Sequence, residues 1–158
     1  MFTDEEVLAV IDTVVEKRGA DYIYPQFKDL AVKAGLYDPM QEDEQEFMLP
    51  DECHYVWEDN DRTVANALGL DVMVGEPACL VGAVLAEFGL LEKYLGDEDD
   101  NHNSAGALLG DGDDFTNESI RLLDVAQSSQ DQGEPWGTAR DRTRKEFAEG
   151  PMVGIRSF

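Results

Sequence analysis

The chain has 158 residues, with 35 Asp and Glu against 12 Lys and Arg, for a net charge of -23 and a sequence pI near 4.1. That length, with 42% hydrophobic residues, suits a single compact acidic domain over 1–158 that builds its own core without staples. No apolar run approaches the roughly 18 residues of a membrane span, and the N-terminal segment is acidic where a secretory signal is basic, so a soluble, cytoplasmic protein is expected. The acids are spread along the chain, and such a field repels phosphate, which argues against direct nucleic-acid or membrane binding.

Thr3-Asp4-Glu5-Glu6 is a capping box and predicts a helix over 4–18, with Val7, Leu8, Val10, Ile11, Val14 and Val15 at helical spacing. Lys17 and Arg18 suit its C-terminal dipole, and Gly19 can take the left-handed cap. Tyr22-Ile23-Tyr24 before Pro25 reads as a short strand, and Cys53-His54-Tyr55-Val56-Trp57 as a second that pairs with it. Between them a short helix is expected over 27–36, followed by an exposed acidic connection over 38–50. Residues 60–75 alternate turn signals with a brief apolar patch and are read as irregular, with room for one helical turn.

Pro77, placed as a first helical residue, opens the most apolar segment, where Leu80, Val81, Val84, Leu85, Phe88, Leu91 and Leu95 fit one broad face. This is the expected central helix, although Gly89 costs about 1 kcal/mol in a helix interior and argues against an unbroken run to Tyr94. Acidic segments at 97–103 and 111–114 flank a small apolar patch at 105–109, and the stretch is read as loops or a loop-turn-loop. Thr116 then caps a helix carrying Ile120, Leu123 and Ala126 up to Gly133, and Pro135 starts another that ends at Gly150-Pro151. The fold class expected is α+β, a helix-rich domain with a small two-stranded sheet and a central apolar helix.

Five features could carry chemistry. Cys79 falls in the opening turn of the central helix, where unpaired N–H groups lower a thiol pKa and favour a nucleophile; it is equally a small buried hydrophobe, the preferred reading for a thiol beside Leu80 and Val81. Cys53, His54, Cys79 and His102 offer four zinc-type ligands, but Cys53 and His54 are adjacent and on a strand face opposite ways, so no metal site is expected. Asp97, Asp99 and Asn101 begin an EF-hand pattern that fails, because His102 replaces the turn glycine and Leu108 the bidentate glutamate.

Arg140, Arg142, Arg144 and Lys145 form the one basic cluster, able to grip a partner's anionic group or to pair with this chain's own acids. Gln127, Gln130 and Asp131 share a helix face near Trp136, either as a recognition surface or, the preferred reading, as a buried network fixing the helix–helix corner. No glycine-rich phosphate loop, Walker motif or nucleophile elbow occurs, and no cofactor is expected.

Taken together, several of these motifs resemble those of a group of small proteins of unassigned activity encoded by actinobacteriophages and actinobacteria. The shared features are Lys17-Arg18-Gly19, Cys53-His54-Tyr55-Val56, the run Pro77-Ala78-Cys79-Leu80-Val81-Gly82-Ala83-Val84-Leu85, and the corner Ala126-Gln127, Gln130-Asp131-Gln132-Gly133 and Trp136-Gly137-Thr138-Ala139. They touch under half the chain, and the resemblance implies a source and a binding role without implying an activity.

The function expected is non-catalytic binding of a host or phage protein, through Gln127, Asp131, Trp136, Arg140 and Arg144 and the acidic patches at 42–46 and 97–100. Two alternatives stand beside it. One is a small enzyme with a Cys79 nucleophile assisted by His54 or Cys53. The other is a DNA mimic, since 23 net negatives equal about 39 Å of duplex charge, close to the roughly 40 Å width of the globule, but only if nearly all lie along one face. A homodimer follows if the apolar faces of the last two helices are not covered internally.

Overall fold

The computed structural model describes residues 1–35, 40, 54–96, 101 and 104–150. Helix α1 (Asp4–Arg18) is followed by α2 (Phe27–Lys33), α3 (Asp59–Ala67), α4 (Leu80–Glu87), α5 (Leu91–Tyr94), α6 (Ala105–Leu109), α7 (Asn117–Asp131) and α8 (Trp136–Glu149). Among the described residues there is no β-strand, only two isolated bridges, Phe2 to Phe115 and Val56 to Pro77. The domain is therefore all-α, and the expected α+β class is corrected.

The reason lies in where the backbone of the two supposed strands finds its partners. The carbonyls of Ala20 and Tyr22 accept from the N–H groups of Gly137 and Trp136, each at 2.8 Å, so this segment closes the N-terminus of α8 rather than a ladder. Residues 54–57 turn instead to the segment before α4. Ala78 N donates to the Tyr55 carbonyl at 2.8 Å, Cys79 N to that of His54 at 3.1 Å, and Trp57 N to that of Glu76 at 3.1 Å. The aromatic side chains that suggested a pleat serve packing: Tyr24 and Trp57 stack with ring centroids 5.4 Å apart.

Helix α1 forms as its sequence predicts. Thr3 Oγ1 accepts from Glu6 N at 3.1 Å, and Glu6 Oε1 accepts in return from Thr3 N at 3.2 Å. Its buried face of Val7, Ile11 and Val15 packs against α4, α7 and α8, and α7 also packs against α6 and α8. Leu80, Val81, Val84 and Leu85 of α4 are fully buried, each worth roughly 1.5–3 kcal/mol relative to exposure, so α4 is the enclosed helix that its composition suggested. It is shorter than expected. Gly89 adopts φ +73 and ends it, and at the other end Pro77 sits in the bridge to Val56, leaving Cys79 as N-cap and Leu80 as the first helical residue.

Two further expectations are corrected. Residues 60–75 are not irregular throughout, because α3 occupies their first half, with Val64 and Ala65 buried. Residues 105–109 form the short helix α6, its N-terminus closed by Ser104 Oγ accepting from Ala107 N at 3.2 Å. Ile120, Leu123, Ala126, Trp136 and Ala139 are buried within the chain, so α7 and α8 do not meet the condition set for a homodimer. No helix among the described residues is long and apolar enough to cross a membrane. The acidic connection over 38–50 falls outside the described residues apart from Met40, as does the tail 151–158.

Candidate functional site

The glutamine corner turns Gln130 and Trp136 to the interior. Gln130, fully buried, turns its Oε1 to the backbone N–H of Leu80 at 2.7 Å and so supplies α4 with a capping acceptor from α7. Its Nε2 donates to Asp131 Oδ1 at 3.1 Å. Trp136 is also fully buried, edge-on to Tyr22 with ring centroids 4.8 Å apart, and the Arg18 guanidinium lies 4.7 Å from the Tyr22 ring centroid. Of the five residues expected to meet a partner, Trp136 is thus enclosed, Gln127 and Arg140 are half-buried, and Asp131 and Arg144 are exposed.

The basic cluster on α8 is matched from within. Arg140 Nε donates to Asp141 at 3.1 Å, Arg142 pairs with Glu134 at 3.0 Å, and Arg144 pairs with Asp12 of α1. Arg144 is held further above its ordinary pKa chiefly by that hydrogen bond. The Arg144 pair ties α8 to α1, and all three pairs consume charge that a partner's anion would need.

Cys79 occupies the N-cap of α4, where its Sγ accepts from Gly82 N at 3.4 Å. It is a free thiol with no exposed surface, enclosed by the core rather than facing a cleft. Cys53 and His102, the other members of the four-ligand set, lie outside the described residues, as do 97–100. His54 is described, and it is buried.

His54 belongs instead to a polar cluster at the start of α3. Its Nδ1 lies 2.6 Å from Asp61 Oδ2, which also accepts from Glu58 N at 2.9 Å, while its Nε2 is 4.0 Å from Glu58 Oε1. Its own backbone N–H donates to the Tyr24 hydroxyl at 3.1 Å. Asn101 ties the cluster to the preceding segment: Oδ1 accepts from Tyr55 N at 2.8 Å and Val56 N at 3.0 Å, and Nδ2 donates to Glu58 Oε2 at 2.8 Å. Asn101 thus serves as backbone partner rather than as a calcium-loop ligand.

Among the described residues, the largest concentration of exposed apolar side chains lies between α3 and α4. Leu70 is 38% exposed, Met73 66% and Val74 43%, in a loop whose ends, Gly69 and Gly75, adopt φ +76 and +85. The loop is anchored rather than loose, because Leu70 N donates to the Ala65 carbonyl at 2.8 Å and Gly75 N to that of Trp57 at 2.9 Å. It forms a wall of two clefts. One, of about 440 Å³, runs between the loop and the faces of α1 and α4, with Val14, Val72, Met73, Pro77 and Ala83 in its lining. The other, of about 520 Å³, is lined by Val56, Gly75, Ala86, Leu91 and Leu95.

The charges around the first cleft are uneven. Lys17 is paired with Glu87 across it, and Arg18 Nη2 reaches the Pro77 carbonyl at 3.5 Å while the guanidinium lies against Tyr22, so both cations are engaged by this chain. Asp71 and Glu76 put exposed carboxylates on the same lining. The loop lacks helical or alternating periodicity, so no pattern in its sequence assigns it a face. The available signal was Leu70-Asp71-Val72-Met73-Val74 itself, four apolar residues in five held between two glycines.

No family of known proteins matches the chain, nor does any curated protein or solved structure.

Proposed function

We propose that the protein acts non-catalytically, by docking an apolar and basic segment of a partner protein against the 70–76 loop and the cleft between α1 and α4. The observation that carries this reading is the set of exposed apolar side chains at Leu70, Met73 and Val74, fixed on an anchored loop beside that cleft. Isolated exposed hydrophobes are ordinary, but a contiguous group beside a concave wall is the usual form of an interaction surface. A basic partner is the complement of the rim at Asp71 and Glu76 and of a net charge of -23, which also steers encounter at low salt. The resemblance to small actinobacteriophage proteins makes a bacterial host protein or another phage protein the partner class. Full burial of Cys79 supports binding over nucleophilic catalysis.

The test is affinity capture from a bacterial host lysate at low and high salt, with the wild type beside a Met73→Asp/Val74→Asp variant. One basic protein held in stoichiometric amount at both salts, and lost by the variant, supports the reading. A partner retained by the variant contradicts the assigned face. A mixed set of DNA-binding proteins released by salt favours charge mimicry of duplex instead.

A further inference from the structure

We propose that His54, Glu58 and Asp61 form a binding site for one divalent transition-metal ion, of which Zn²⁺ is the representative. The site is independent of the docking surface, and no residue of the cluster lines either cleft. One ligand atom from each of the three side chains lies within 4.8 Å of the others. Three ligands bound to one tetrahedral zinc at about 2.0–2.2 Å stand roughly 3.3–3.6 Å apart, so the cluster has to close by about 1 Å to hold the ion. His54 Nδ1 lies 2.6 Å from Asp61 Oδ2, so an ion bound to Nδ1 takes the place of the proton that this pair shares, and Glu58 is the ligand that has to approach. Glu58 is the half-buried member; its side chain accepts from Asp61 N in the capping box of α3 and from Asn101 Nδ2, whereas His54 and Asp61 are buried.

The second observation concerns Asp61 alone. Its side chain is fully buried; Oδ2 is engaged by His54 and by Glu58 N, but Oδ1 has no hydrogen-bond partner among the described residues. An unmatched carboxylate oxygen in the interior is costly, and a bound cation offsets that cost directly. The donor set selects the metal class. An imidazole nitrogen with two carboxylates suits zinc, manganese and their neighbours, whereas calcium and magnesium take all-oxygen shells. Asn101 Nδ2, bonded to Glu58 Oε2 at 2.8 Å, orients one ligand from behind, as hydrogen-bond donors around metal sites do. A bound ion would fasten the start of α3 to residues 54–58 and so raise thermal stability.

The measurement is titration of the chelator-treated full chain with Zn²⁺, and separately with Co²⁺ followed by visible absorption, in millimolar Ca²⁺ to occupy the surface carboxylates. The wild type should take up one equivalent of Zn²⁺, show ligand-field bands with Co²⁺, and melt at a higher temperature with zinc than without. Glu58→Gln keeps an oxygen for Asn101 and the backbone N–H for Asp61, so it should fold; its zinc affinity should fall at least tenfold. Asp59→Asn, an exposed neighbour, should bind as the wild type does. Absence of saturable one-equivalent binding in calcium, or equal affinity in the Glu58→Gln variant, overturns the assignment.

Discussion

Replacing Gln130 by Leu keeps most of the side-chain volume but removes the acceptor that holds Leu80 N at 2.7 Å. Both residues are fully buried, so the amide N–H cannot turn to water, and the first turn of α4 loses an acceptor from outside the helix. Leaving a buried donor unmatched costs about 1–3 kcal/mol. Loss of the Gln130 Nε2 bond to the exposed Asp131 adds little, because Asp131 can be hydrated. In a chain of this length 1 kcal/mol corresponds to roughly 2–4 °C, so the variant should melt about 2–12 °C below the wild type and show a lower urea midpoint at unchanged slope. Gln132→Leu is the control, since its exposed amide reaches only Ser128 Oγ at 3.4 Å; it should stay within about 0.5 kcal/mol of the wild type. A Gln130→Leu protein as stable as that control would refute the capping role.

Other consequences follow from single contacts. Gly82→Ala would place a Cβ 2.0 Å from the Tyr55 carbonyl oxygen, so urea unfolding should show a loss of about 1–3 kcal/mol or more despite the better helix propensity of Ala. Cys79 should resist alkylation in the folded protein and react once denaturant is added, as followed by mass spectrometry of its own peptide; rapid reaction without denaturant would revive the nucleophile reading. The Asp114 carboxyl is held below its ordinary value by hydrogen bonds from Lys93 at 2.5 Å and the Tyr94 hydroxyl at 2.6 Å. A depressed carboxylate pKa stabilises the fold above the unfolded-state value and loses that contribution as pH falls through the folded one. Asp114→Asn should therefore melt below the wild type at pH 7, and the two curves should converge as pH falls through the lowered folded-state pKa of Asp114.

Much of the helical scaffold was legible because its signals are local. Thr3 with Glu6, and Thr116 before α7, mark their helices through contacts spanning three residues, and Gly133 and Gly150 adopt the positive φ that ends α7 and α8. What escaped depends on partners far along the chain. Tyr22-Ile23-Tyr24 has strand composition, yet the Tyr22 carbonyl accepts from Trp136 N, which strand propensity alone cannot reveal. Residues 54–57 likewise look like a strand but spend two of their N–H groups on the Asn101 side chain. The Gln127–Trp136 corner was ambiguous between surface and interior until Gln130 was seen against Leu80, 50 residues away. Asp61 gave no sign of burial, being one acid among 35, and the 70–74 loop carried apolar residues without a period to assign them.

The docking face is tested most directly by a photo-crosslinking amino acid in place of Met73, whose side chain is 66% exposed, irradiated in host-type lysate beside the same substitution at exposed Lys145 of α8. A docking face at Met73 should give one covalent adduct to a basic protein from position 73, competed away by unmodified wild-type chain, and none from position 145. Adducts from position 145 alone, or no competed adduct from position 73, would contradict it.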